Sequence, residues 1–358
     1  MEQKIRATLR LDNGMEFKGF SFGFNAACSG EVSFSTAMVG YTESMTDPSS
    51  SGQILCITYP VIGNYGAPDN NRDEYGIMRF LESEKIQVRG LVVTDYSEEY
   101  SHWNAAKSLD TWMKENKVPG IYGVDTRELA KVIRDNGTMA GYIIPEGCES
   151  DVPAADPADR NLVSEVSCKE VIRYGSGDKK VVVVDCGMKN NILRYLLSKG
   201  VEVIRVPWNY DFSTLEYNGL FISGGPGNPE LCGETVENVR KALDAGKPVF
   251  ATCLGSMILA LAAGASVVRL KSGHHGHNQP VRMDGTNRCF ITSQNHSYAI
   301  DASTLPQGWS QTFHNMNDGT CEGLRHNDKP FAGIQFRPEG LNGISDTEFL
   351  YEDFLSKL

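Results

Sequence analysis

The residues best suited to covalent chemistry lie in short stretches of the second half of the chain. Cys253 stands in "GKPVFATCLGSMILALAAG" (246–264), where a strand from Pro248 to Thr252 meets a helix from about Leu254 to Ala263. A cysteine at such a turn presents its thiol above the sheet, beside N–H groups of a helix start that can hold an oxyanion and lower the thiol pKa. Small Ala251 and Gly255 let the turn close. The plain alternative is a buried cysteine at an ordinary strand–helix junction, because free cysteine is among the most buried residue types. Downstream, "GIQFRPEG" (333–340) ends an apolar strand at Pro338 and sets Arg337 close to Glu339, a natural place for a base and its orienting acid. A base must lose its proton near neutral pH, and a guanidinium with a pKa above about 12 does not. Arg337 can act there only as a fixed cation. In "GLFISGGPGNP" (219–229) a strand runs into a turn where Gly225 and Gly227 let backbone amides approach a ligand. The turn fits neither the G-x-x-x-x-G-K-S/T phosphate loop nor the dinucleotide G-x-G-x-x-G. In "GHHGHNQP", His274, His275 and His277 invite a metal reading, but adjacent side chains without an obvious fourth ligand favour a structural loop, and no metal is expected.

These groups need a sheet and helices to hold them. From about residue 179 the grammar alternates: "KKVVVVDCG" is a continuous β-branched run, "NNILRYLLSKG" a helix with a glycine stop, and "VEVIRVPW" another strand. Such alternation predicts βαβ units and a mainly parallel sheet flanked by helices. Residues 1–145 instead mix short alternating segments, "KIRATLRL", "QILCITY" and "RGLVVTDY", which predict a strand-rich α/β domain. Two helices are expected within it. Leu109, Trp112 and Met113 share one face, and Asp125 with Glu128 forms a capping box ahead of Leu129, Val132 and Ile133, with Gly137 as the stop. Between the domains, "PEGCESDVPAADPADRN" (145–161) has no periodic apolar face and reads as leading into a connection over 146–178. The fold class is thus α/β, with domains at 1–145 and 179–358.

With 34 Lys and Arg against 45 Asp and Glu, the net charge is −11, and no long basic run invites nucleic acid or an anionic membrane. No run of about 18 apolar residues predicts a membrane span, and the start lacks the apolar core of a secretory signal. The nine cysteines are scattered, odd in number and without a C-x-x-C pair, which points to a reducing, cytoplasmic setting.

The set "GGPGNP", "CLG", "ITSQNHSYA" and "GIQFRPEG" resembles the class I glutamine amidotransferase domain. The first-domain stretches "GEVSFSTAMVGYTESMTDPSSSGQILCITYPVIGNYG" and "GVDTRELAKVIRDNGTMAG" resemble the small subunit, or amidotransferase half, of carbamoyl phosphate synthetase. The resemblance implies glutamine as substrate, a glutamyl thioester, and ammonia passed to a large synthetase subunit or fused domain, which would itself use ATP and bicarbonate. No cofactor is implied for this chain. By motif, Cys253 is the nucleophile, Arg337 occupies the position of the catalytic histidine, and Glu339 is the orienting acid. The glutamine pocket maps onto Ser49, Gly225, Gly227, Leu254, Met257, Asn295, Ser297 and Tyr298. Three positions depart from the family pattern: Met257 replaces an amide that would bind glutamine, Ser297 replaces a glycine where φ above zero or close approach is expected, and Arg337 replaces the base. The implied outcome is an impaired glutaminase serving a structural or allosteric role with ammonia as donor. Two alternatives stand beside it: an active glutaminase with His296 as surrogate base, and a small-molecule sensor that binds through Arg337 without hydrolysis.

Overall fold

The computed structural model describes residues 4–148, 160–339 and 346–358. Residues 1–159 and 160–358 form two compact units.

In the first unit the elements run β1 (Arg6–Leu11), β2 (Glu16–Gly23), β3 (Cys28–Ser35), α1 (Tyr41–Thr46), β4 (Gln53–Ile57), β5 (Ala67–Pro68), β6 (Gly90–Val93), β7 (Ala105–Lys107), α2 (Leu109–Glu115), β8 (Pro119–Tyr122), α3 (Thr126–Asn136) and β9 (Met139–Pro145). Seven strands close into a barrel in the order β1-β2-β8-β6-β4-β3-β9, while β5 and β7 form a separate ribbon. The two-residue period of a strand explains the two cores. Along β4, Ile54 and Cys56 join one apolar cluster and Leu55 and Ile57 the other. Leu109, Trp112 and Met113 of α2 seal the second of these, and Leu129, Val132 and Ile133 of α3 the first. Helix α3 starts as the sequence predicts, with Asp125 Oδ1 accepting from Glu128 N at 2.9 Å, and α2 starts on a cap the sequence reading did not name, Ser108 Oγ accepting from Thr111 N at 3.1 Å.

The second unit comprises α4 (Val163–Val166), β10 (Ile172–Tyr174), β11 (Lys180–Asp185), α5 (Asn190–Ser198), β12 (Glu202–Pro207), β13 (Gly219–Ile222), α6 (Gly233–Ala245), β14 (Val249–Thr252), α7 (Leu254–Ala263), β15 (Val267–Met283), β16 (Cys289–Ile300), β17 (Trp309–Asn315), β18 (Cys321–His326), β19 (Phe331–Ile334) and α8 (Phe349–Leu355). A ten-stranded sheet runs β10-β12-β11-β13-β14-β19-β18-β16-β15-β17. Its parallel part is β12-β11-β13-β14-β19, and the strands beyond β19 continue it antiparallel. The β-branched run of β11 is buried on both faces, as a central parallel strand requires. Of the expected 146–178 connection, residues 149–159 lie outside the described residues. Residues 160–178 are not a bare connection: they hold α4 and β10, which adds antiparallel to β12 with Arg173 opposite Ile204. An edge strand needs only one apolar face and a free row of backbone groups, so three residues suffice there.

The strand ends bring the site together. Parallel pairing sets Thr252 opposite Ile334, and β13 lies on the other side of β14 with Ile222 opposite Ala251. The residues that follow β13, β14 and β19 therefore emerge side by side at the carboxyl edge of the sheet, where open α/β sheets bind ligands.

Candidate active site

Cys253 occupies the turn from β14 into α7 and is almost fully buried. Its φ of 50° is left-handed; among the described residues only Lys117 shares a positive φ without being glycine. Strain of this kind persists where the surroundings over-determine it. Here the Cys253 N–H donates to Ile334 O at 2.8 Å, and the Ser256 hydroxyl donates to Cys253 O at 2.7 Å. The turn closes because Gly255 has no side chain: a Cβ there would lie 2.3 Å from Ile222 O. Strain, burial and the close glycine contact give this turn the backbone geometry that a nucleophile elbow requires.

The glycine turn after β13 faces the thiol by a residue that the sequence did not single out. A Cβ on Gly224 would sit 3.3 Å from Cys253 Cβ and 4.0 Å from Sγ. Gly225 packs against the opposite wall, where a Cβ would meet Cys186 O at 2.0 Å, and Gly227 has φ of 82°. Gly224 was hidden because three glycines in "GGPG" are equivalent until the neighbouring strand is placed.

Arg337 lies where a partner of the thiol should be. Its backbone N–H donates to Ser293 O at 3.1 Å, pinning the segment after β19 to β16. Its Nη2 then stands 3.9 Å from Cys253 Sγ and 3.4 Å from Asn295 O. Glu339 is buried, with Oε1 3.3 Å from Lys189 Nζ, Oε2 accepting from the Tyr351 hydroxyl at 2.6 Å, and its carbonyl accepting from Asn191 Nδ2 at 3.0 Å. Burial and the neighbouring carboxylate push the Tyr351 hydroxyl well above its ordinary pKa, so it remains a donor. Neither Lys189 nor Tyr351 was foreseen; each is far from the motif in sequence or lacks a motif of its own.

The other predicted pocket residues divide. Leu254 and Met257 are buried on α7, and Asn295, Ser297 and Tyr298 follow one another along β16. The carbonyl of Asn295 approaches Sγ at 3.8 Å, and its Oδ1 pairs with His275 Nδ1 at 2.7 Å. Ser297 has no positive φ, so the expected conformational need for glycine at that position is corrected: the strand is ordinary there, and only the added side chain remains as an effect. Ser49 belongs to the first unit, buried in the turn Pro48–Ser50, where its hydroxyl donates to Asp47 Oδ1 at 2.7 Å.

Two buried histidines adjoin the pocket strand. Burial lowers His275 to about 4, and burial with the nearby His274 lowers His296 well below the usual histidine range. His296 faces an oxygen at each nitrogen, Tyr298 O 2.7 Å from Nδ1 and Gln294 Oε1 2.9 Å from Nε2, and the neutral ring can donate to only one of them. His274, expected in a loop, lies within β15 and meets Gln294, Asp318 and Glu322.

Residues 182–357 match the family model described as glutamine amidotransferase class-I, and residues 9–143 that of the carbamoyl-phosphate synthase small chain, CPSase domain. The chain is 50% identical over 355 residues to the mitochondrial carbamoyl-phosphate synthase (ammonia) of Aquarana catesbeiana, covering 98% of this chain and 24% of that protein. It is 50% identical to the Homo sapiens protein of the same description, covering 98% and 23%. To the multifunctional protein CAD of Squalus acanthias it is 48% identical, covering 98% and 16%. The chain thus spans about a quarter or less of the length of the curated relatives it matches.

Proposed function

The chain belongs to the carbamoyl-phosphate synthase small-chain family and carries a class I glutamine amidotransferase domain, and from this premise we propose that it is an amidotransferase part whose glutaminase is retired. In this reading it serves a synthetase component, on another polypeptide or elsewhere in a longer chain, that takes free ammonia together with bicarbonate and ATP.

The observation that carries the reading is the guanidinium 3.9 Å from the Cys253 thiol. A cation there favours the thiolate. It cannot deliver a proton to departing ammonia, nor accept one from the water that would cleave a thioester, and loss of such help costs about 10²- to 10⁴-fold in rate. Glu339, which would orient an imidazole, is instead engaged by Lys189 and Tyr351. Met257 brings a thioether where an amide would bind glutamine. His296 is poorly suited as a substitute base, because both ring nitrogens are turned to protein oxygens inside the fold and burial depresses its basicity.

The test is carbamoyl phosphate formation by this chain combined with a synthetase component, with glutamine or ammonium as nitrogen donor. Turnover with ammonium alone is expected. Comparable turnover with glutamine would overturn the reading and leave a surrogate base as the explanation.

A further inference from the structure

We infer that His274, His296 and Glu322, together with the amide oxygen of Gln294, form a buried binding site for one divalent metal ion of the zinc class. The side chains come from β15, β16 and β18, and the ligating atoms of the two histidines and the carboxylate all lie within 4.8 Å of one another. His274 Nδ1 is 3.0 Å from Gln294 Oε1 and 3.3 Å from Glu322 Oε1, and His296 Nε2 is 2.9 Å from Gln294 Oε1. Zinc bonds of roughly 2.0 to 2.2 Å give tetrahedral edges of about 3.4 Å, so these three edges already have near-ligand spacing.

The polarity of the hydrogen bonds points the same way. The Thr292 hydroxyl donates to Gln279 O at 2.9 Å and accepts from Gln294 Nε2 at 3.1 Å, which turns the Gln294 oxygen inward. His296 Nδ1 faces a carbonyl, Tyr298 O, and so carries the hydrogen; Nε2 of the neutral ring then presents a lone pair to Gln294 Oε1. His274 Nε2 meets Asp318 Oδ2 at 2.8 Å and Nδ1 lies 3.3 Å from Glu322 Oε1; with its hydrogen on Nε2 the neutral ring turns the Nδ1 lone pair inward, and a bound ion would replace any second hydrogen on Nδ1. Glu322 is fully buried; Oε1 accepts from Asn315 Nδ2 at 2.9 Å, while Oε2 has no hydrogen-bond partner. Asn315 Nδ2 reaches both Glu322 Oε1 and His274 Nδ1, at 2.9 and 3.4 Å, but the neutral His296 ring leaves no hydrogen between its Nε2 and Gln294 Oε1, and a cation resolves that conflict.

The outer contacts have the form that metal-binding histidines use, with a carboxylate on the far nitrogen of one ring and a backbone carbonyl on that of the other. Asp318, part-exposed, marks the side from which an ion would come. The same cluster was illegible in "GHHGHNQP", because Glu322 arrives from another strand and neither His275 nor His277 joins.

The full chain, stripped by a chelator, would be titrated with Zn²⁺ and Co²⁺ and its metal counted after desalting. One ion per chain is expected, with tetrahedral cobalt d–d absorption and no thiolate charge-transfer band. Asp318→Asn should weaken binding about 10- to 100-fold with the fold intact, and Glu322→Gln should abolish it. No uptake by chain that circular dichroism shows to be folded would overturn the assignment, and would mean that a proton bridges the cluster. Uptake that survives Glu322→Gln, or a thiolate band from a site such as exposed Cys289, would overturn it as well. Metal count and spectrum are independent of whether glutamine is hydrolysed.

Discussion

At the scale of residues, Cys253 and Arg337 form a thiol–cation contact whose reactivity can be separated from turnover. The guanidinium favours the thiolate against the burial that opposes it, so a small haloacetamide is expected to modify Cys253 in the native chain, read by peptide mass spectrometry. Arg337→Gln should slow that modification by about tenfold, since one near charge is removed from a buried sulfur. An unchanged rate would mean that the helix start alone activates the thiol. The converse change tests the retired base: Arg337→His with Met257→Gln should raise glutamine hydrolysis by at least about 10²-fold. Arg337→His alone should give less, because the substrate amide would still face a thioether.

The elements impose their own constraints. The elbow depends on α7 lying against the end of β13, and the Gly255 contact with Ile222 O leaves no room for a methyl group. Gly255→Ala should therefore destabilise the chain by about 2 kcal/mol, measured by urea unfolding, since a backbone carbonyl and a buried helix must both shift. A loss below about 0.5 kcal/mol would show that the helix rides freely on the sheet. In the first unit, Asp125→Ala should cost about 1 kcal/mol by leaving the first turn of α3 uncapped. The capping motif and the apolar stripes of α2 and α3 were legible because they are local. The closure of the barrel was not, since β1 must find both β2 and the distant β9.

At the scale of the whole molecule, stability carries the signature of buried thiols. Burial pushes Cys232 up to about 12 from a normal value of 9.0. Below pH 9 both folded and unfolded states keep that proton. Between pH 9 and about 12 the unfolded state loses it first, so the stabilisation is present below 9 and fades as pH rises. Urea unfolding of the full chain should show a loss of about 1 kcal/mol from this group between pH 8 and pH 10. Cys232→Ala, though less stable throughout, should fall by that much less over the same interval; an identical pH dependence would show that the thiol contributes nothing to it.

The sequence by itself determined what each side chain can do and where the chain changes its local grammar. A guanidinium cannot serve as a base in any fold, whereas a cysteine between a strand and a helix start fits both an elbow and an ordinary junction until the backbone of the turn is placed. Periods of two and 3.6 residues are properties of neighbours along the chain, so strands and helices were readable without contacts. The tertiary structure decided which groups face one another. Parallel pairing of β14 with β19 is what sets Arg337 against Cys253, across 84 residues. The same applies to Glu339 with Lys189, to Gly224 beside the thiol, and to Glu322 completing a cluster begun by His274. Such pairings follow from strand order and register, which depend on the burial of whole faces and leave no mark at the individual residue.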